Sequence, residues 1–170
     1  MPYRSPAADI LFSLRAVADF PRLVEQGLLG DLDWDAVSSV IAEASRFATK
    51  EIAPLNRAGD LAGAAYENGV VTTAPGFAAV YGRWAEAGWN GVSAPAEFGG
   101  MGLPHLVNVA CTEIWNGASM AFALCPLFDR RRDRRTEGTR LARTHRHLSP
   151  ADGQRAVDRD HEPDRTSGGV

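Results

Sequence analysis

Apolar residues recur at helical spacing through the first three quarters of the chain and then almost vanish. Ser5-Pro6 pairs a capping residue with the imino acid suited to a first helical turn, and Ile10, Leu11, Leu14, Val17 and Ala18 follow at intervals of three and four. The spacing predicts a first helix from Pro6 to Asp19, closed by Pro21, with a loop at Gly27 and Gly30. Asp31 or Asp33 can cap a second helix, whose inner face would be Val37, Val40, Ile41, Ala44, Phe47 and Ala48. That helix is expected to stop before Pro54, because proline pushes its predecessor out of helical geometry.

Residues 56–73 read as a polar, glycine-bearing connection, with a turn at Asn68-Gly69 and a short extended piece at Val70, Val71 and Thr72. Thr73 is expected to cap a third helix with Pro75 in its first turn and Phe77, Val80, Tyr81, Trp84 and Ala85 inward. Between Trp89 and Pro104 lie Gly91, Pro95, Gly99, Gly100 and Gly102, a density that implies defined turns. A fourth helix carries Leu106, Val107, Val109, Ala110 and Ile114; Asn116-Gly117 should interrupt it, and a fifth begins between Met120 and Leu127. Four or five amphipathic helices without a strong strand pattern define an all-α fold class.

Charge divides the chain at the same place as hydropathy. Residues 1–127 hold 7 basic and 13 acidic side chains, a net of −6, whereas residues 128–170 hold 11 arginines and 8 acids, a net of +3. The large apolar residues of that last segment are Phe128, Leu141, Leu148, Val157 and Val170, too few to offset the entropy of ordering a backbone. It is expected to be a disordered tail after one domain over 1–127.

No apolar run is long enough to span a membrane, and the residues from Met1 to Arg15 lack the pattern of a signal peptide, so a cytoplasmic location is the expectation. Cys111 and Cys125 have no metal-ligand spacing and read as reduced core residues. His145, His147 and His161 lack a regular element to fix them as metal ligands. The run from Arg130 to Arg135 suggests a nucleic-acid arm, but interspersed acids dilute it and no aromatics are interleaved for stacking, so no nucleic-acid partner is expected.

Gly99-Gly100-Met101-Gly102 does not follow a strand, as a dinucleotide loop would, and is better read as tight turns. Trp84, Trp89 and Trp115 read as core anchors. Glu97 and Glu113 lack a second carboxylate or histidine at helical spacing, so neither is assigned a catalytic role, and Glu97 is expected to accept backbone amides within its loop.

The loop Ala94-Pro95-Ala96-Glu97-Phe98-Gly99-Gly100-Met101-Gly102, led by Gly88-Trp89-Asn90-Gly91, resembles the N-terminal domain of the flavin-dependent acyl-CoA dehydrogenases. Met1-Pro2-Tyr3, Ala53-Pro54-Leu55-Asn56, Glu67-Asn68-Gly69-Val70-Val71-Thr72 and Ala118-Ser119-Met120-Ala121 resemble the subgroup with an extended N-terminus, which includes methylmercaptopropionyl-CoA dehydrogenase-like enzymes. The resemblance covers Met1 to Leu127. It implies a helical N-domain in an enzyme whose central β-domain holds FAD and whose C-domain supplies a glutamate base. That base takes the α-proton of an acyl-CoA while the β-hydrogen leaves as hydride to the flavin.

The family implies an acyl-CoA substrate, an electron-transfer partner and a homo-oligomer. In the resembling enzymes the N-domain helices help wall the acyl pocket, which makes Met120, Phe122 and Leu124 candidate wall residues, with core packing the commoner reading of such apolar side chains. Nothing in these 170 residues matches the base or the flavin-binding strands, so no catalytic or cofactor-binding residue is assigned. This chain alone is expected to be inactive, without stable FAD binding. The reading from another class is a small helical interaction module whose basic tail binds nucleic acid or an acidic partner.

After Cys125-Pro126-Leu127 the family continues to a Thr-Glu-Pro-x-Ala-Gly-Ser-Asp element, whereas this chain turns to Arg and Asp. Back-translated with free codon choice and read one nucleotide later, Asp152 to Val170 can encode Met-Val-Ser-Gly-Arg-Trp-Thr-Gly-Thr-Met-Asn-Leu-Thr-Glu-Pro-Gln-Ala-Gly-Ser. The expectation is a one-nucleotide insertion near the Leu127/Phe128 codons of a GC-rich gene.

Overall fold

The computed structural model of the protein describes residues 3–126. The arginine-rich segment, with its expected disorder and its histidines, lies outside the described residues.

Helix α1 (Ala7–Phe12) passes directly into a five-residue π turn at Ser13–Val17, closed by Ala18 N–H donating to the Ser13 carbonyl at 2.9 Å. Asp19 then takes a left-handed φ of 52°, and α2 (Phe20–Glu25) begins with Pro21 in its first turn. The expected helix thus ends near its predicted place, but the break is made by Asp19. Pro21 starts the next helix, where its missing N–H costs nothing. Helix α3 (Trp34–Phe47) is capped by Asp33, whose Oδ1 accepts from Ala36 N at 2.7 Å. Val37, Ile41 and Ala44 face the core as their spacing predicts.

Pro54 does not end the second helix. A π turn at Ala48–Ile52 follows α3, and α4 (Ala53–Ala62) then carries Pro54 in its first turn. Within an α-helix the proline ring meets the carbonyl four residues back and removes one hydrogen bond. The wider turn, in which Ala53 N–H donates to the Ala48 carbonyl, shifts the bonding pattern just upstream and lets the chain stay helical. The helix consumes the first part of the predicted connection. The rest forms a hairpin: β1 (Ala65–Glu67) pairs antiparallel with β2 (Val70–Thr72), Tyr66 opposite Val71. Asn68 at φ 50° and Gly69 at φ 81° make the two-residue left-handed turn that suits strand twist.

Helix α5 (Phe77–Glu86) starts later than Thr73 because Gly76, at φ 87°, turns the chain into it. Helix α6 (His105–Ala118) runs through Asn116-Gly117 without interruption. Asn116 Nδ2 donates to the Thr112 carbonyl one turn back at 2.8 Å, so the side chain supports the helix it was expected to break. The break comes at Ser119, whose backbone is extended, and residues 120–126 form α7.

Helices α3 and α6 pack against each other, with α1 on α3. Tyr3 ties the N-terminus to α6, its hydroxyl donating to the Ile114 carbonyl at 2.8 Å. The core is filled by Val37, Ile41, Ile52, Trp84, Ile114 and Trp115. Trp84 meets Trp115 edge-on at 5.2 Å and Phe122 at 6.2 Å, and Trp89 meets Trp115 at 5.5 Å, so the three tryptophans are the expected anchors. Cys111 is buried, but Cys125 is exposed rather than in the core, and neither forms a disulfide.

Candidate functional site

The glycine-rich loop between α5 and α6 is folded on itself. Gly88, left-handed at φ 78°, ends α5; short 3₁₀ turns follow at Trp89–Gly91 and Ala96–Phe98. Met101 N–H donates to the Gly91 carbonyl at 2.8 Å, Gly102 N–H to Ala94 at 2.9 Å and Leu103 N–H to Val92 at 2.9 Å, while Gly99 and Gly100 amides return to Ala96 and Pro95. Two stretches of backbone therefore run in contact. A Cβ on Gly91 would lie 3.1 Å from Gly100 Cα, and one on Gly100 would lie 2.6 Å from Ala94 Cβ and closer still to the Ala94 carbonyl. The glycines serve this close approach.

The arrangement answers whether the loop can cradle a phosphate or the pyrophosphate of FAD. Its amides from Gly99 to Leu103 are spent on loop carbonyls, so none points outward as a phosphate cradle requires. These amides therefore do not fit the pyrophosphate of a flavin. Glu97 is exposed, and the bonds that hold the loop are backbone to backbone, so the expected acceptor role for its carboxylate is not the one the structure uses.

Helix α7 divides the three residues expected at the acyl pocket. Phe122 is 2% exposed and packs among Phe77, Tyr81 and Trp84, whereas Met120 and Leu124 are 64% and 44% exposed on the other face. One turn apart, Met120 and Leu124 form an apolar pair on the surface.

Clefts among the described residues lie on either side of α3 and α6. One, of about 390 Å³, is bordered by Val40, Phe47, Trp89 and Met101 with Glu43 and Arg46 at its edge. The Arg46 guanidinium donates to Glu43 Oε2 at 2.6 and 2.9 Å and holds that carboxyl below its ordinary range. The pair is exposed, and the carboxylate is engaged with the guanidinium through Oε2. The other, of about 300 Å³, lies between the first helical segment and α6. Burial raises the Tyr3 phenol above its ordinary value, against a smaller opposite effect from Ser5. No group of three or more potential metal ligands occurs among the described residues, and none of their helices is long and apolar enough to cross a membrane.

A helical domain with a Gly-Gly-x-Gly element between two of its helices is what the sequence resemblance implied, and the structure adds that the loop closes on itself. Residues 36–129 match the model of the acyl-CoA dehydrogenase N-terminal domain, and the chain belongs to the acyl-CoA dehydrogenase family. It is 39% identical over 127 residues to 3-methylmercaptopropionyl-CoA dehydrogenase of Ruegeria pomeroyi (strain ATCC 700808 / DSM 15171 / DSS-3). That alignment takes in 75% of this chain and 22% of the relative, so the chain spans about a fifth of the length of the protein it matches.

Proposed function

We propose that residues 1–127 are the helical N-terminal domain of an FAD-dependent enzyme that dehydrogenates an acyl-CoA thioester between its α and β carbons. We further propose that residues 128–170 translate that enzyme's continuation in the wrong reading frame. The observation that carries the reading is the family match, which ends at residue 129, where the composition also changes. Support for the second part comes from the shifted reading of Asp152 to Val170, which reaches the family's Thr-Glu-Pro-x-Ala-Gly-Ser in register.

On this reading these 170 residues do not by themselves oxidise an acyl-CoA. The amides from Gly99 to Leu103 are spent on loop carbonyls, and the family resemblance places the flavin and the glutamate base in later domains. Met120 and Leu124, apolar and outward, are the residues that would meet the acyl chain, with Phe122 holding their helix from inside. The substrate reading extends to the acyl-CoA class. An electron-transfer partner and a homo-oligomer follow from the family in the same way, and the cytoplasmic location remains the reading drawn from the sequence.

The test has two arms. The purified chain is expected to be colourless and to reduce no dye with acyl-CoA, whereas deleting one nucleotide near codon 127 and expressing the gene onward should yield a yellow flavoprotein. A yellow, dye-reducing product from the unaltered gene would overturn the inactivity. Salt-sensitive binding of DNA or RNA that disappears on deleting residues 128–170 would instead favour the interaction module.

A further inference from the structure

Residues 3–5 belong to no helix or strand, yet their side chains fasten them to two helices. The Tyr3 hydroxyl donates to the Ile114 carbonyl of α6 at 2.8 Å, and the Ser5 hydroxyl donates to Ser45 Oγ of α3 at 2.8 Å. This strap lies outside the residues 36–129 that match the domain model. The Tyr3 ring, partly buried against the core, rests on Gly117: a Cβ there would lie 3.5 Å from Tyr3 Cε2 and 3.7 Å from its hydroxyl oxygen. Glycine weakens a helix relative to alanine, so α6 gives up helical stability at the position where the ring sits. Two residues further on the helix breaks. Ser119 is extended, at φ −160° and ψ 109°, and it accepts from Phe122 N through Oγ at 3.4 Å and from Ala123 N through its carbonyl at 3.0 Å. One residue thus ends α6 and caps α7. Beyond this joint α7 is held from inside by Phe122, with Met120 and Leu124 outward.

We propose that Tyr3 and Gly117 form a latch on the α6–α7 joint: with the ring docked the last turn of α6 is braced, and when the strap leaves, that turn loosens and α7 pivots at Ser119. The docked strap adds a bond and a ring contact to a helix end that otherwise rests on its own backbone bonds, and such ends are where helices open first. Residues 3–5 suit the part of the latch that moves, because leaving costs them the Tyr3 and Ser5 side-chain bonds and no turn of helix. In the enzyme proposed above the latch would set the position of Met120 and Leu124. That bearing on the acyl chain rests on the flavoenzyme reading, whereas the latch itself does not.

The experiment is hydrogen–deuterium exchange on the full 170-residue chain, comparing amides over 114–126 with those of Val37 to Ala44 in α3. Tyr3→Ala should speed exchange over 114–126 by about two- to twelvefold, the range for one ordinary hydrogen bond lost, and leave α3 as in the wild type. Gly117→Val places branched carbons where the ring docks, yet valine is a better helix former than glycine. The latch therefore predicts faster exchange where helix propensity alone predicts slower. Gly117→Ala, whose methyl makes ordinary contact with the ring, should slow exchange, and Tyr3→Ala combined with Gly117→Val should be no faster than the quicker single variant. Circular dichroism checks that each variant folds. Slower exchange in Gly117→Val, equal acceleration of α3 in Tyr3→Ala, or effects of the two substitutions that multiply would overturn the latch. No flavin or acyl-CoA enters the measurement, so its failure would leave the proposed function standing.

Discussion

Replacing Gly100 by alanine should be the most damaging single-methyl change available in this domain. The added Cβ falls 2.6 Å from Ala94 Cβ and nearer to the Ala94 carbonyl, and backbone atoms cannot rotate aside as a side chain can. Overpacking of that kind costs about 1–3 kcal/mol. The only relief is to part the two backbone stretches, which breaks one or two of the bonds from Gly100, Met101 and Gly102 to Pro95, Gly91 and Ala94, at about 0.5–1.5 kcal/mol each. The sum is about 1.5–6 kcal/mol from a total that is on the order of 5–15 for an ordinary domain. At roughly 4 °C per kcal/mol the melting midpoint falls by about 6–24 °C.

The matched control is Gly82→Ala in the middle of α5, where a Cβ meets nothing within 4 Å and helix propensity should stabilise the protein by about 1 kcal/mol. Urea titration followed by the fluorescence of the buried Trp84, Trp89 and Trp115 measures both. Gly100→Ala at wild-type stability beside a stabilised Gly82→Ala would mean that the loop is not closed on itself.

Other substitutions probe the remaining structure. Phe122→Ala should cost about 3–5 kcal/mol, whereas Met120→Ala and Leu124→Ala should stay within about 0.5 kcal/mol in the same urea titration, because only Phe122 is in the core. Asp33→Ala removes the cap on Ala36 N and should lower the thermal midpoint by the equivalent of about 1 kcal/mol, with Asp33→Asn restoring most of it. The folded state raises the Tyr3 phenol, so it holds a proton that the unfolded chain releases first. Stability should be complete below about pH 10 and decline as pH rises through the folded value, and Tyr3→Phe should flatten that alkaline limb in pH-dependent melts.

Periodicity was the legible part of the sequence. The inner face of α3, the cap at Asp33 and the Asn68-Gly69 turn are local consequences of residue type, and the structure contains each of them. Local rules failed where neighbouring turns compensate. Pro54 looked like a terminator because a proline rule considers one residue and its predecessor; the π turn that absorbs it lies in Ala48–Ile52, a stretch with no signature of its own. Asn116-Gly117 looked like a break, yet the Asn116 side chain supports its own helix, and the extended residue is Ser119.

The pocket-wall residues show a different limit. Met120, Phe122 and Leu124 are alike in composition, and only packing against Trp84 and Tyr81 separates the buried one from the two that face outward. The cleft between the first helical segment and α6 was invisible because its walls are about a hundred residues apart in the chain.

Reading the nucleotide sequence across codons 120 to 170 tests the proposed boundary at Leu127/Phe128 most directly. In the frame one nucleotide later, the codons of Asp152 to Val170 should spell Thr-Gly-Thr-Met-Asn-Leu-Thr-Glu-Pro-Gln-Ala-Gly-Ser at their end. Codons whose shifted reading gives stops or an unrelated sequence would contradict a frameshift and make the arginine-rich segment a property of the protein itself.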